Sequence, residues 1–252
     1  LSVPVMPVID GIEDFEGESF HTGEWPHEPV DFHDKRVAII GTGATGVQAI
    51  TEIAKTVGHL TVFQRTPNYT IPAHNHPLDP VEYAKTKARY RALREEAKRQ
   101  PNGLFYDFNP KGALEVSEEE RRAEFERRWA VGGTMFVGAY ADLMKDRDAN
   151  ETAAEFVRSK IREIVEDPET AETLSPDNVF GCKRLCVDTD YWATYNRPDV
   201  ELVDVSGEPI ERILPGGVRV AGKVYEVDAL VLATGFDAMT GAMLNIDIRG
   251  RG

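Results

Sequence analysis

The tightest constraint on the fold is a glycine-rich hexapeptide, Gly41-Thr42-Gly43-Ala44-Thr45-Gly46. It follows the short, charged-then-apolar run Lys35 to Ile40 (KRVAII) and leads into VQAITEIAKTVG, where Val47, Ile50, Ile53 and Ala54 fall at helical spacing. After Gly58 comes LTVFQR, which reads as a second buried strand. Strand, glycine turn, helix and strand within about 30 residues make a βαβ unit of the Rossmann type. In such a unit Gly41 permits the tight turn, and Gly43 lets a pyrophosphate approach the backbone. Gly46 lets helix and sheet pack closely, and the helix N-terminus stabilises the negative charge. Taken alone, the loop also fits a tight βα turn that holds no ligand.

The end of the second strand selects the nucleotide. An NAD site places Asp or Glu there to bond the ribose 2′-hydroxyl. Here the strand ends Phe63-Gln64-Arg65-Thr66, with no acid. Arg65 is a planar, permanently charged donor suited to a 2′-phosphate, and Thr66 adds a hydroxyl beside it, so NADP is expected. The alternative is a surface arginine. Net charge sharpens the point: 29 basic against 43 acidic side chains leave −14, so anion binding needs locally gathered positive charge. The same balance argues against nucleic acid or an anionic membrane as the main partner. No apolar run approaches the roughly 20 residues of a membrane span. The first residues lack the basic region of a signal peptide.

Two cysteines, Cys182 and Cys186, suit a reducing cytoplasm and read as buried, reduced thiols. C-x-x-x-C without a second ligand pair is not a zinc pattern, and His74 and His76 have no carboxylate or cysteine cluster with them, so no metal is expected.

Residues 1–34, rich in Pro, Gly, His and acids, read as an extended linker. Residues 35–78 are the Rossmann βαβ part. Residues 79–176 read as a helical insertion. It holds one helix over PVEYAKTKARYRALREEAKRQ, a second opened by a Ser117–Glu120 capping box, and a third from about Asn150 to Asp167 with Phe156, Ile161 and Ile164 on one stripe. The charged runs of these helices read as solvated faces. Strand character returns over 177–236 in VELVDV, in the hairpin-like GVRVAGKVYEV and in DALVLATGF, and 237–252 reads as a second linker. The fold class is therefore α/β, a Rossmann-like NADP(H)-binding domain with a helical insertion. Leu1 is not a methionine and the chain stops soon after a strand-like segment, so it reads as part of a longer protein.

The first linker contains Phe15-Glu16-Gly17-Glu18-Ser19-Phe20-His21-Thr22-Gly23-Glu24-Trp25-Pro26. This resembles the F-x-G-x-x-x-H-x-x-x-W-P fingerprint of Baeyer–Villiger monooxygenases at every fixed position: Phe15, Gly17, His21, Trp25 and Pro26. The blocks GTGATGVQ, VFQRTPNY, GCKRLCVDTDYW, TYNRPDVELVDV and ATGFDAMTG extend the resemblance along most of the chain. Related N- and S-oxidising flavin monooxygenases usually carry Tyr or Phe where Trp25 stands. Without the resemblance, His21 and Trp25 read as a packed linker anchor. Within the family His21 also fits a role in fixing domain orientation.

The resemblance implies roles further along. Lys183 joins Arg65 and Thr66 at the NADP 2′-phosphate. Arg184 looks like the active-site arginine that stabilises negative charge on the reacting flavin and positions the nicotinamide. Gln48 is carried over as a cofactor contact. Ala233 and Thr234, in Ala233-Thr234-Gly235, resemble the motif through which the chain returns to a flavin domain, and they also read as a strand-end turn. The family binds FAD through an earlier GxGxxG, and the present chain has a single such motif. The implied whole is an FAD- and NADPH-dependent monooxygenase, with its FAD domain on the same polypeptide, that converts ketones and O2 into esters or lactones. This chain alone is then expected to bind NADP(H) without oxygenating. An N- or S-oxidising flavin monooxygenase and a non-catalytic NADP(H)-binding module are the alternatives.

Overall fold

Val37 to Ile40 form a run of four buried residues, and Leu60 to Gln64 form another of five. Strands apolar on both faces belong in a covered parallel sheet. The computed structural model, which describes residues 3–100, 103–105, 107–237, 241–247 and 249–251, has that sheet. Its strands are β1 (Glu18–His21), β2 (Arg36–Ile40), β3 (His59–Gln64), β6 (Val200–Asp204) and β10 (Ala229–Leu232), in the order β1-β10-β2-β3-β6. All four pairings are parallel.

One face of the sheet supplies Ala38, Ile40, Phe63, Val203, Leu230 and Leu232 to a single apolar cluster. The cluster is closed by a three-stranded antiparallel sheet, β7 (Ile210–Leu214), β8 (Gly217–Val220) and β9 (Lys223–Glu226), through Ile213, Val218 and Val220. Each such buried Val, Leu, Ile or Phe stabilises by about 1.5–3 kcal/mol. The strand period of two turns Val37, Ile39, Leu60 and Val62 to the opposite face. There α1 (Ala44–Ile53) packs against β2 and α7 (Tyr191–Thr194), burying Val47 and Ile50.

The chain divides into two compact units. The sheet unit comprises Leu1–Asn68, Lys160–Pro176 and Asp190–Gly252. The helical unit comprises Tyr69–Ser159 and Asp177–Thr189. The second contains β4 (Thr70–Pro72) paired in parallel with β5 (Cys186–Asp188), the helices α2 (Pro80–Ala88), α3 (Tyr90–Ala97) and α4 (Glu118–Val131), and most of α5 (Arg147–Ile164). Its core is aromatic. Phe136 lies 5.5 Å from Phe125, 5.7 Å from Phe156 and 5.7 Å from Phe180, measured between ring centres. Among the described residues no helix is long and apolar enough to cross a membrane.

Several expectations need correction. The segment 1–34 is not linker throughout, because Glu18–His21 pairs with Ala229–Leu232 as the edge strand of the sheet. The helical unit begins at Tyr69 and returns at Asp177–Thr189, whereas the expected insertion ran over 79–176; residues 160–176, with α6 (Pro168–Leu174), belong to the sheet unit. The single helix expected from Pro80 is two, α2 and α3, separated by Arg89 at φ −104 and ψ 3. Neither buries a residue, so no packing enforces a continuous helix there. At the start of α4 the Ser117 side chain accepts from the Glu120 N–H at 3.2 Å, but the Glu120 carboxylate turns to Lys111 at 2.6 Å. Only half of the capping box is used. Cys182 is exposed while Cys186 is buried, and both are free thiols.

Candidate nucleotide site

The loop geometry follows glycine by glycine. Gly41 adopts φ +104, and a Cβ there would stand 2.6 Å from the Ala233 carbonyl oxygen. A Cβ on Gly46 would stand 2.3 Å from the Gly41 carbonyl oxygen. Both contacts are too short for any side chain, so the loop, α1 and the end of β10 close together only with glycine at these positions. Gly43 differs: a Cβ there meets nothing within 4 Å. It is the N-cap of α1, extended at φ −74 and ψ −175, and no side chain caps the helix. The N-terminus of this ten-residue helix is therefore uncapped and stands beside an exposed backbone, which fits a pyrophosphate. Ala44, Thr45 and Gln48 are exposed around this opening, while Thr42 is buried.

Hydrogen bonds tie the end of β3 to this loop. The Gly41 N–H donates to the Phe63 carbonyl at 3.0 Å, and the Thr42 hydroxyl donates to the Thr66 carbonyl at 3.1 Å. The Asn68 side-chain amide donates to the Thr42 carbonyl at 2.7 Å. Arg65 and Thr66 are thus held next to the glycine loop, with Arg65 exposed and Thr66 half-buried. Asn68 is the residue that sequence reasoning missed. Its partner lies 26 positions away, and no local pattern announces a side chain that reads a distant carbonyl.

The fingerprint residues share one edge of the sheet unit. Phe15 packs on the apolar cluster. Gly17 leaves room where a Cβ would fall 2.4 Å from the Asp228 carbonyl oxygen. Trp25, partly exposed, lies 5.5 Å from Phe20 and 6.1 Å from Phe32, and Pro26 is exposed. His21 is buried at the end of β1. Its Nδ1 accepts the Gly23 N–H at 3.0 Å, so the ring proton sits on Nε2, which donates to the Thr234 hydroxyl at 3.2 Å. Thr234 in turn donates to the Val5 carbonyl at 2.6 Å. Ala233, whose N–H donates to the Ile40 carbonyl at 2.9 Å, lies beneath Gly41. The histidine therefore joins the first linker to the turn after β10.

Lys183 and Arg184 lie in the helical unit, on a loop where Cys182, Lys183 and Arg184 are exposed between buried Phe180 and buried Leu185 and Cys186. Burial pushes the Cys186 thiol above its ordinary value, which keeps it protonated and unreactive. The structure thus gathers Gly41 to Gly46, Arg65, Thr66 and Ala233 in one place, sets Thr234 against His21, and presents Lys183 and Arg184 as neighbours on a separate loop.

Residues 2–88 match the family model for flavin-binding monooxygenase-like proteins. A Baeyer–Villiger monooxygenase of Pseudooceanicola batsensis is 41% identical over 255 residues, which is 100% of this chain and 46% of that protein. The chain is a relative of the Baeyer–Villiger monooxygenases. A further relative, cyclohexanone 1,2-monooxygenase of an Acinetobacter species, is 40% identical over 254 residues, covering 100% of this chain and 46% of that one. The solved structure of OTEMO in complex with FAD and NADP superposes with a TM-score of 0.95 at 42% identity, over 100% of this chain and 49% of that one. The chain spans about half the length of the curated Baeyer–Villiger relatives it matches.

Proposed function

We propose that this chain is the NADP(H)-binding portion of an FAD- and NADPH-dependent Baeyer–Villiger monooxygenase. The intact protein would convert ketones to esters or lactones with O2, its FAD domain lying on the same polypeptide. The observation that carries the reading is the loop at Gly43. An open backbone at an uncapped helix N-terminus stands beside a strand end that offers Arg65 in place of an acid. The Trp25 fingerprint, together with the similarity to cyclohexanone 1,2-monooxygenase, supports ketone oxygenation at that nucleotide site.

In this reading the amides around Gly41, Gly43 and Gly46 hold the pyrophosphate, with Ala44, Thr45 and Gln48 lining it. Arg65 and Thr66 take the 2′-phosphate. Lys183 and Arg184 carry their assignments, to that phosphate and to the flavin, from the family resemblance. A guanidinium such as Arg184 offsets developing negative charge more strongly where water is excluded. The flavin, when bound, supplies the oxygen-activating redox chemistry, while the protein supplies binding, orientation and charge. By itself the chain binds NADP(H) and does not oxygenate. Its two free cysteines fit a reducing cytoplasm, and that is the location this reading gives it.

The test is product analysis with the intact polypeptide, FAD and NADPH, offering a cyclic ketone and a thioether together. A lactone is expected, and Arg184→Ala is expected to lower its formation by about 100-fold or more while NADPH stays bound. Sulfoxide as the sole product, or undiminished lactone formation by Arg184→Ala, would contradict the reading.

A further inference from the structure

The loop that presents Lys183 and Arg184 is anchored by a residue outside every motif discussed so far. Asn150, near the start of α5, is 4% exposed. Its side-chain amide donates to the Leu143 carbonyl at 2.8 Å and to the Phe180 carbonyl at 2.8 Å. Its side-chain oxygen accepts the Phe180 N–H at 2.9 Å. Both donors are used, and both backbone groups of one loop residue, 30 positions away in sequence, are gripped by one side chain. Phe180 itself is fully buried, 5.1 Å from the Tyr69 ring and 5.7 Å from that of Phe136. The chain then turns at Gly181, φ +80, and exposes the two basic side chains before re-entering at Leu185.

A second clamp acts on the same loop. The Tyr69 hydroxyl donates to the Asn178 carbonyl at 2.9 Å and accepts from Arg158 at 3.2 Å. Burial holds the Tyr69 phenol above its ordinary value, so it remains a donor at neutral pH. The Cys186 N–H donates to the Tyr69 carbonyl at 3.2 Å where β5 meets β4, which fixes the far end of the loop. Lys183 and Arg184 thus stand on a short span held at Asn178, Phe180 and Cys186.

We infer that Asn150 is a positioning residue for the basic loop: by gripping Phe180 it sets where Lys183 and Arg184 stand, and through Lys183 it sets the preference for NADP over NAD. The inference rests on the assignment of Lys183 to the 2′-phosphate. An effect passed through Lys183 reaches only a nucleotide that carries that phosphate. A merely structural role would weaken NADP and NAD alike.

The test is calorimetric titration of the full chain with NADP+ and NAD+, alongside a thermal melt. Asn150→Ala is expected to weaken NADP+ binding about tenfold and NAD+ binding by less than about twofold. In a Lys183→Ala background the same substitution is expected to leave the NADP+/NAD+ ratio unchanged, because the two residues act as one unit. Tyr69→Phe removes one clamp without opening a cavity and is expected to shift the ratio in the same direction by about threefold. It carries the test if Asn150→Ala does not fold. Equal losses for both nucleotides, or an unchanged ratio in folded variants, would overturn the role of Asn150. Normal NADP+ binding by Lys183→Ala would instead overturn the assignment of Lys183, and the inference with it.

Discussion

In the sheet unit the glycine loop is shaped by backbone geometry, whereas in the helical unit the basic loop is held by buried polar side chains. Gly41 and Gly46 admit carbonyl oxygens at 2.6 and 2.3 Å from where a Cβ would stand, and Gly43 stays open beside them. The glycine of the Lys183–Arg184 loop, Gly181, would set a Cβ only against the flexible end of Met144, at 2.9 Å. The loop depends on Asn150, Tyr69 and Arg158, and the helix that carries Asn150 and Arg158 packs in a core with an ion pair of its own. Arg128, 3% exposed, meets Glu124 at 2.8 Å and donates to the Met135 carbonyl at 3.1 Å. The difference teaches where each region is fragile. A backbone-shaped site fails sterically, at one or two positions. A region held by side chains fails by losing a partner, and where that partner is a carboxylate such as Glu124 its failure depends on pH.

The steric side gives the largest effect. Gly46→Ala puts a methyl group against the Gly41 carbonyl, and backbone cannot give way as a flexible side chain can. The variant is expected to lose about 3 kcal/mol of stability and all measurable affinity for NADP+ and NAD+ alike. A denaturant melt and a titration check this, and retained nucleotide binding would break the contrast between the units.

The polar side gives the next. Glu124→Gln removes the closer carboxylate from buried Arg128, leaving exposed Asp107 at 3.5 Å, and is expected to cost about 2 kcal/mol at neutral pH. The sign of the pH dependence follows from the carboxyl itself. Hydrogen bonds from Arg127, with Arg128 adding to them, hold Glu124 below its ordinary value against the opposing effect of burial. Its contribution is therefore fully present above the ordinary value and is lost as pH falls through the lowered one, from about pH 5 downward. Denaturant melts across that range are expected to show the wild-type chain losing stability that the Glu124→Gln chain has already lost. Parallel curves for the two would remove Glu124 from the account of the helical unit.

The same contrast explains what could be read from the letters. GTGATG announces its fold because a glycine requirement is local: strand, turn and helix are contiguous, and each glycine answers to a neighbour close in the chain or across one strand. The buried runs Val37–Ile40 and Ala229–Leu232 were equally legible, since full burial leaves an unbroken apolar stretch. Strand β1 was not. Of its four residues only His21 is buried, and its place comes from pairing with residues more than two hundred positions away. The break between α2 and α3 was hidden for the opposite reason, because a helix that buries no residue leaves no packing pattern to interrupt. Cys182 was misread because exposure there is imposed by Phe180 and Leu185 on either side, not by its own chemistry. Asn68 and Asn150 were invisible as functional residues: an asparagine that grips a carbonyl 26 or 30 positions away looks like any other asparagine.

The most direct measurement is the titration of the folded chain with NADP+ and NAD+, repeated with Arg65→Ala. Charge-assisted bonds from Arg65 of about 1.5–3 kcal/mol correspond to a tenfold to hundredfold preference for NADP+. We expect that preference in the wild-type chain and its collapse in Arg65→Ala, with NAD+ affinity nearly unchanged. Equal affinity for the two nucleotides, or equal loss of both in the variant, would contradict a 2′-phosphate site at the end of β3.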